Sequence, residues 1–151
     1  MLLIVPYEFA TPEYDEAVRL RDEILRKPLG RSITDDDLSA EIDQFHFGLY
    51  DAGRLLGTAT LRPDGDNGFQ MRQVAVLAKA QGQSVGLALV RHSDAFAKTR
   101  NATELFCHAR EVARGFYERC GWEAYGEPYE EVGIPHVNMR STRVGGGLAA
   151  E

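Results

Sequence analysis

No apolar run in this chain approaches the roughly 20 consecutive residues that a membrane-spanning helix needs. The opening MLLIVPYEF is apolar only from Leu2 to Pro6 and has no basic residues before that stretch, so it predicts a strand and not a secretory leader. Cysteine is scarce. Cys107 and Cys120 are the only two among 151 residues, and they match no metal or redox spacing, as expected of reduced thiols in a cytoplasmic protein. Positive charge is also in deficit, with 17 Lys and Arg against 23 Asp and Glu and a net charge of -6. Such a surface repels nucleic acid and anionic lipid and favours a cationic partner such as an amine. There is no internal repeat and no sign of a second domain. What is present is ample apolar material, 44% of the residues. A chain of this length buries roughly 68–70% of its unfolded surface and needs no disulfide or metal for stability. Residues 1–144 read as one domain, and the GGGLAAE end, 145–151, as a disordered tail.

After the Leu2–Val5 strand, Thr11-Pro12 makes a helix start, with a capping hydroxyl and proline in the first turn. Tyr14, Ala17, Val18, Ile24 and Leu25 recur at helical spacing until KPLG ends the run. Thr34 followed by Asp35, Asp36 and Asp37 predicts a second, short helix. FHFGLY (45–50), LLGTATLR (55–62) and FQMRQVAV (69–76), separated by DAGR and PDGDNG, predict a three-stranded antiparallel meander. A helix follows from about Ser84 to Lys98, its core face formed by Val85, Ala88, Leu89, Ala95 and Phe96. ELFCHA is a short strand and EVARGFYERC a helix stopped by Gly121. Two more strands are predicted near Trp122–Tyr125 and Val137–Arg143. The strand–helix–strand unit from Phe69 to Ala109 requires a parallel pair with a right-handed crossover. The fold class is therefore α/β, with a mixed sheet that is antiparallel first and parallel in its middle.

The stretch VAVLAKAQGQSVGLALV, Val74 to Val90, joins a strand to a helix through Gly82 and Gly86. Those glycines have the wrong spacing for a dinucleotide fingerprint, and no Gly-Lys-Ser/Thr is present for a P-loop. A turn whose successive N–H groups cradle a pyrophosphate at a helix N-terminus does fit. Here the chain resembles the GCN5-related N-acetyltransferase (GNAT) family, which carries Q/R-x-x-G-x-G/A between its fourth strand and third helix. From Gln81 the match is Q-G-Q-S-V-G, with Ser84 in place of the first glycine. From Gln83 it is complete, Q-S-V-G-L-A, but two residues late. The distance from Val76 favours the first frame. MRQVAV, FYERCGW and EEVGIPHVNM also resemble family segments, the last that of the ElaA-like branch, so the likeness covers nearly the whole chain.

The resemblance implies a GNAT-like sheet flanked by helices, with acetyl-CoA as co-substrate and no metal. It further implies that Val74, Ala75 and Val76 offer backbone groups to the thioester and pantetheine where the fourth and fifth strands splay apart. Gln81, Gly82, Gln83, Ser84, Val85, Gly86 and Leu87 would hold the pyrophosphate. Arg110 stands where many members have an asparagine that bonds the coenzyme. Tyr117 takes the place of the family's usual acid, a phenol able to protonate a departing thiolate; a plain core aromatic beside Phe116 is the alternative. His136 or His108 could relay the proton of the amine, since histidine titrates near neutrality, although a buried hydrogen bond explains either. Of the other two histidines, His46 reads as a solvent-side or meander residue and His92 as a satisfied core histidine. The segment GEPYEEVG places Glu127, Glu130 and Glu131 in one loop, an anionic rim or base for the amine, or simply a solvated turn. The expected function is acetyl transfer to a primary amine, small-molecule or protein, by direct attack in a ternary complex. A non-catalytic acyl-CoA-binding or sensing module is the rival. Monomer or homodimer stays open.

Overall fold

The computed structural model describes residues 1–145; the tail expected at 145–151 lies, beyond Gly145, outside them. Strand β1 (Leu2–Tyr7) leads to helix α1 (Pro12–Arg21), which starts where the sequence predicts. Thr11 Oγ1 accepts the Tyr14 N–H at 3.2 Å, and Pro12 fills the first turn. The coil then widens over Asp22–Arg26, tightens over Lys27–Leu29 and stops at Gly30, left-handed at φ 70°. Instead of one short helix after Thr34 there are two 3₁₀ turns, Ile33–Asp35 and Ser39–Asp43. The acids that were expected to open a helix bind elsewhere. Asp36 accepts from Arg26, and Asp37 accepts from the Ser39 N–H and hydroxyl.

Strands β2 (Phe45–Asp51), β3 (Arg54–Asp64) and β4 (Gly68–Val76) form the predicted meander, followed by helix α2 (Val85–Thr99), β5 (Glu104–Arg110) and helix α3 (Arg114–Arg119). The chain closes with β6 (Trp122–Glu131) and β7 (Ile134–Ser141). The seven strands lie in the order β1-β2-β3-β4-β5-β7-β6. The pair β4/β5 is parallel, as predicted, over Gly68↔Glu104 to Gln70↔Phe106. The chain forms two compact units, Met1–Arg62 with Arg72–His92, and Pro63–Met71 with Ser93 onward.

In the first unit β2 pairs antiparallel with β1 (Leu2↔Asp51 to Tyr7↔His46) and with β3 (Phe45↔Leu61 to Asp51↔Arg54). One apolar cluster joins Leu49, Ala59, Ala80, Val85 and Leu89; another joins Tyr7, Tyr14, Ala17, Leu20, Leu55 and Ala75. Gly57 lets α2 lie close on β3, because a Cβ there would come within 2.9 Å of both Val85 Cγ1 and Leu89 Cδ1.

Beneath α1 sits a buried polar network. Arg21, fully buried, forks onto Glu41 with Nη1–Oε1 2.8 Å and Nη2–Oε2 2.7 Å. The Tyr14 hydroxyl donates to the same carboxylate at 2.7 Å. His46 bonds the Glu41 carbonyl oxygen at 2.9 Å and Thr60 at 3.0 Å, and it stacks on Tyr7. His46 is thus buried, not solvent-facing as the alternation of β2 predicts, because β2 is covered on both faces. Burial pulls the Glu41 carboxyl upward, but Arg21 and Tyr14 outweigh it and hold the pKa below its ordinary value. Burial lowers that of His46.

In the second unit β5 pairs antiparallel with β7 (Phe106↔Arg140 to Arg110↔His136), and β7 with β6. Two expectations fail here. The GEPYEEVG segment is not a loop: β6 runs through it to Glu131, and the reversal is a tight turn at Val132-Gly133. The later half of α2 buries Ser93, Asp94 and Ala97, while Ala95 is exposed. Asp94 accepts from Trp122 Nε1 at 3.2 Å and Ser141 Oγ at 2.6 Å, so a polar anchor takes the place of an apolar stripe.

Arg21→Ala leaves a buried carboxylate without its cation and should cost about 3–5 kcal/mol of unfolding free energy in urea titration. The pH response follows from the two depressed pKa values. The contribution of neutral His46 is complete above its ordinary 6.5 and is lost as pH falls; that of ionised Glu41 is complete above 4.5 and is lost below it. Urea midpoints should therefore decline from about pH 6.5 downward, and His46→Gln should flatten the part between pH 7 and 5.

Candidate active site

Strand β4 carries an irregularity that its sequence does not advertise. Gln73 has φ 58°, left-handed in the middle of a strand, which marks a bulge. Arg26 Nη2 donates to the Gln73 side-chain oxygen at 3.3 Å while also holding Asp36. The bulge immediately precedes Val74, Ala75 and Val76, the residues expected to serve the thioester. Bulges redirect the groups that follow them and are over-represented next to active sites.

The turn after β4 is tied down by its own glutamines. Gln81 Nε2 donates to the Val76 carbonyl at 3.1 Å and Gln83 Nε2 to the Lys79 carbonyl at 3.2 Å. Gly82 and Ser84 both have positive φ, 85° and 66°. The intrahelical ladder of α2 begins with the Ala88 N–H on the Ser84 carbonyl at 3.0 Å, so the N–H groups of Val85, Gly86 and Leu87 precede it. The space about Gly82 is open, since a Cβ there would meet nothing within 4 Å. An exposed turn with open space over a glycine and unspent N–H groups at a helix start suits a pyrophosphate. Ser84, the departure from the family pattern, occupies a conformation that favours glycine.

The remaining predicted residues lie in the second unit. Tyr117, on α3, is 7% exposed, with tilted ring contacts to Trp122 at 5.4 Å and an edge contact to Phe116 at 5.0 Å. Phe116 beside it is half-buried. Burial, followed by the neighbouring Cys107 thiol to which the phenol is hydrogen-bonded, pushes the Tyr117 pKa well above 10.0, so it stays protonated. Cys107, buried as well, is pushed up to about 12 and remains a thiol. Arg110 ends β5 and leads into the 3₁₀ turn Glu111–Ala113.

The strand pairing of β5, β7 and β6 gathers three groups that lie far apart in sequence. Glu131 stands between two imidazoles, with Oε1 3.6 Å from His108 Nδ1 and Oε2 3.8 Å from His136 Nε2. His136 is 7% exposed and its Nδ1 lies 2.8 Å from the Ile134 carbonyl oxygen. That oxygen can only accept, so Nδ1 carries hydrogen and a neutral His136 keeps its Nε2 lone pair toward Glu131. His108 is exposed. Tyr129, missed in the sequence, stacks on His136 at 5.8 Å, meets His108 edge-on at 6.1 Å and donates to Asn138 at 2.7 Å. Burial and then the Glu131 charge push its hydroxyl to about 12. Glu127 and Glu130, by contrast, are exposed strand residues outside this group. Among the described residues no group of three or more His, Cys, Asp or Glu side chains is arranged to hold a metal ion.

Ser84→Gly removes left-handed strain worth about 1–2 kcal/mol. It should raise the melting temperature by a few degrees in differential scanning calorimetry. An unchanged or lower value would mean that the hydroxyl stabilises the turn by more than the strain costs.

The model of the acetyltransferase (GNAT) domain matches residues 12–143. An uncharacterised N-acetyltransferase of Bacillus subtilis, YitI, is 28% identical over 105 residues, covering 65% of this chain and 70% of its own. Among solved structures, an N-acetyltransferase from Lactobacillus plantarum, described as putative, superposes with TM-score 0.81 and 25% identity over 93% of this chain and 97% of its own. Escherichia coli ElaA shares the fold, with TM-score 0.79 and 19% identity over 93% and 99% of the two chains. So does an aminoglycoside 6'-N-acetyltransferase solved with coenzyme A, with TM-score 0.73 and 16% identity over 94% and 97%. With its model matched across 132 residues, from 12 to 143, the chain belongs to the GNAT acetyltransferases.

Proposed function

We propose that this acetyltransferase moves the acetyl group of acetyl-CoA to a primary amine by direct attack, without an acyl-enzyme. The observation that carries the reading is the turn from Gln81 to Leu87, with two left-handed residues, open space over Gly82 and N–H groups outside the helical ladder. These N–H groups bind the pyrophosphate of the coenzyme, and the backbone of Val74, Ala75 and Val76 receives the pantetheine and the thioester oxygen. Family membership favours an enzyme over a binding module.

The amine must lose a proton before it can attack, which for an alkylamine of pKa ≈ 10.4 costs roughly 4–5 kcal/mol at pH 7. His136 accepts that proton at Nε2, Glu131 stabilises the resulting imidazolium, and His108 passes the proton to solvent. The nitrogen lone pair bonds to the carbonyl carbon, the carbon–sulfur bond breaks with its electron pair going to sulfur, and the second proton lost by nitrogen goes to the departing thiolate, leaving the neutral amide and the free thiol. Tyr117 donates to that sulfur. With a pKa well above 10.0, full proton transfer to a thiolate is uphill, so a charge-assisted hydrogen bond worth about 1.5–3 kcal/mol is its main contribution. Cys107 holds the phenol in the meantime and, as a buried thiol, is no nucleophile.

Thiol release from acetyl-CoA should be detectable with at least one primary amine. Tyr117→Phe should lower kcat by about 10–10²-fold with little change in coenzyme affinity, and activity should recover in part with a more acidic thiol leaving group. An unchanged rate would make Tyr117 a core residue. His136→Gln and Glu131→Gln should each suppress the alkaline-rising limb of the kcat/KM profile. If both leave that limb in place, the base lies elsewhere.

A further inference from the structure

Two arginines of the first unit are matched by carboxylates in forked contacts. Arg21 is matched by Glu41 and Arg26 by Asp36, each in a bidentate contact at 2.7–2.8 Å or 2.7–3.3 Å. Arg72 is different. It is half-buried on β4, immediately before Gln73, and its side chain makes no hydrogen bond or ion pair among the described residues. Its pKa is lowered, first by burial and then by the like charge of Arg62, with Arg21 and Arg26 adding to it and Glu41 opposing. A guanidinium half removed from water among like charges is a cost that ordinary surface arginines avoid. Such a group is a candidate for ligand recognition.

Arg72 stands two residues before Val74, on the other side of the Gln73 bulge. Resting on the acetyl-transfer reading above, which assigns the thioester to Val74–Val76, we propose that Arg72 binds a carboxylate carried by the acceptor, so that the substrate is an amine with a carboxylate a few bonds away. A carboxylate fits the planar fork of a single guanidinium. A phosphate dianion would call for further free donors, and Arg21 and Arg26 are already engaged. The whole-chain charge of -6 points to a cationic partner, whereas an amino-acid-like acceptor satisfies both signals, with its ammonium drawn to the protein and its carboxylate to Arg72.

The test compares glycine, β-alanine and γ-aminobutyrate with their carboxamides, on wild type, Arg72→Gln and Arg72→Lys. Each acceptor is measured by thiol release and, independently, by calorimetric titration into the coenzyme A-saturated protein. Wild type should prefer at least one carboxylate over its amide by tenfold or more, about 1.4 kcal/mol. Arg72→Gln should bring the ratio close to one through KM, and Arg72→Lys should keep part of it. Melting temperature should hold or rise in Arg72→Gln, because an unpaired half-buried charge is removed; a purely structural arginine would lower it and leave the ratio alone. A preference for amides, an unchanged ratio in Arg72→Gln, a fall in coenzyme affinity or a change only in preference between acetyl and carboxyacyl donors would each overturn the proposal. If no amine is acetylated but the calorimetric preference and its loss in Arg72→Gln persist, the acceptor-site inference stands and the catalytic reading falls. Absence of both is failure of the inference itself.

Discussion

Glu41 is the carboxylate on which the first unit turns. It receives both guanidinium nitrogens of Arg21 and the hydroxyl of Tyr14, and its own carbonyl receives His46. Helix α1, the turn Ser39–Asp43 and strand β2 are thereby held by one residue. A buried ion pair contributes little net stability compared with well-packed apolar groups of the same volume. What it contributes is geometry. An apolar α1 could roll or slide by a fraction of a turn at small cost, whereas a forked pair at 2.7 and 2.8 Å cannot. The same fixed helix leads directly into Asp22–Arg26, and Arg26 reaches from there to Gln73 at the β4 bulge.

The bulge would be costly alone, since a non-glycine residue at φ 58° is strained. It persists because its surroundings hold it from the side-chain end as well as from the sheet. Ser84, at φ 66°, is strained in the same sense some ten residues later, at the turn into α2. Gln73 immediately precedes, and Ser84 lies within, the segment that the family resemblance assigns to the coenzyme. Local strain of this kind is tolerated when the conformation is needed and the rest of the fold over-determines it.

The sequence reveals most of the fold because its punctuation is explicit: Thr11-Pro12, DAGR and PDGDNG each sit at an element boundary. It reveals less where both faces of an element are covered. In β2, His46, Phe47, Gly48 and Leu49 are all buried, so a period of two cannot separate a polar core residue from a solvent-facing one. Helix α2 breaks its apolar stripe with Asp94, whose buried partners Trp122 and Ser141 lie 28 and 47 residues away. The turn from Gln81 was legible as a glycine-bearing strand-to-helix junction, but not the strain at Ser84, which depends on backbone conformation. The grouping of Glu131 with His108 and His136 was legible only as separate candidates. Its assembly depends on the register of β5, β7 and β6, and the expected loop in fact continues as strand. Arg72 carried no signal at all, since one arginine in a strand is unremarkable until the carboxylates around it have been paired off.

The charge of the whole chain and the charge of one site answer different physical questions. At physiological ionic strength interactions between exposed charges are screened beyond about 8 Å. An excess of acid spread over the surface therefore biases which molecules approach, while selection at the point of reaction falls to the few groups within direct reach. Half-buried groups are screened less, so Arg72 acts with more force per charge than any exposed glutamate of the chain. Net acidity and a cationic recognition site thus coexist without conflict. The combination suits a zwitterion, whose two charges report to two different length scales: the ammonium to the long-range field during encounter, the carboxylate to a single fork once bound. A simple diamine would gain from the first and be repelled at the second. A dicarboxylate would face the reverse.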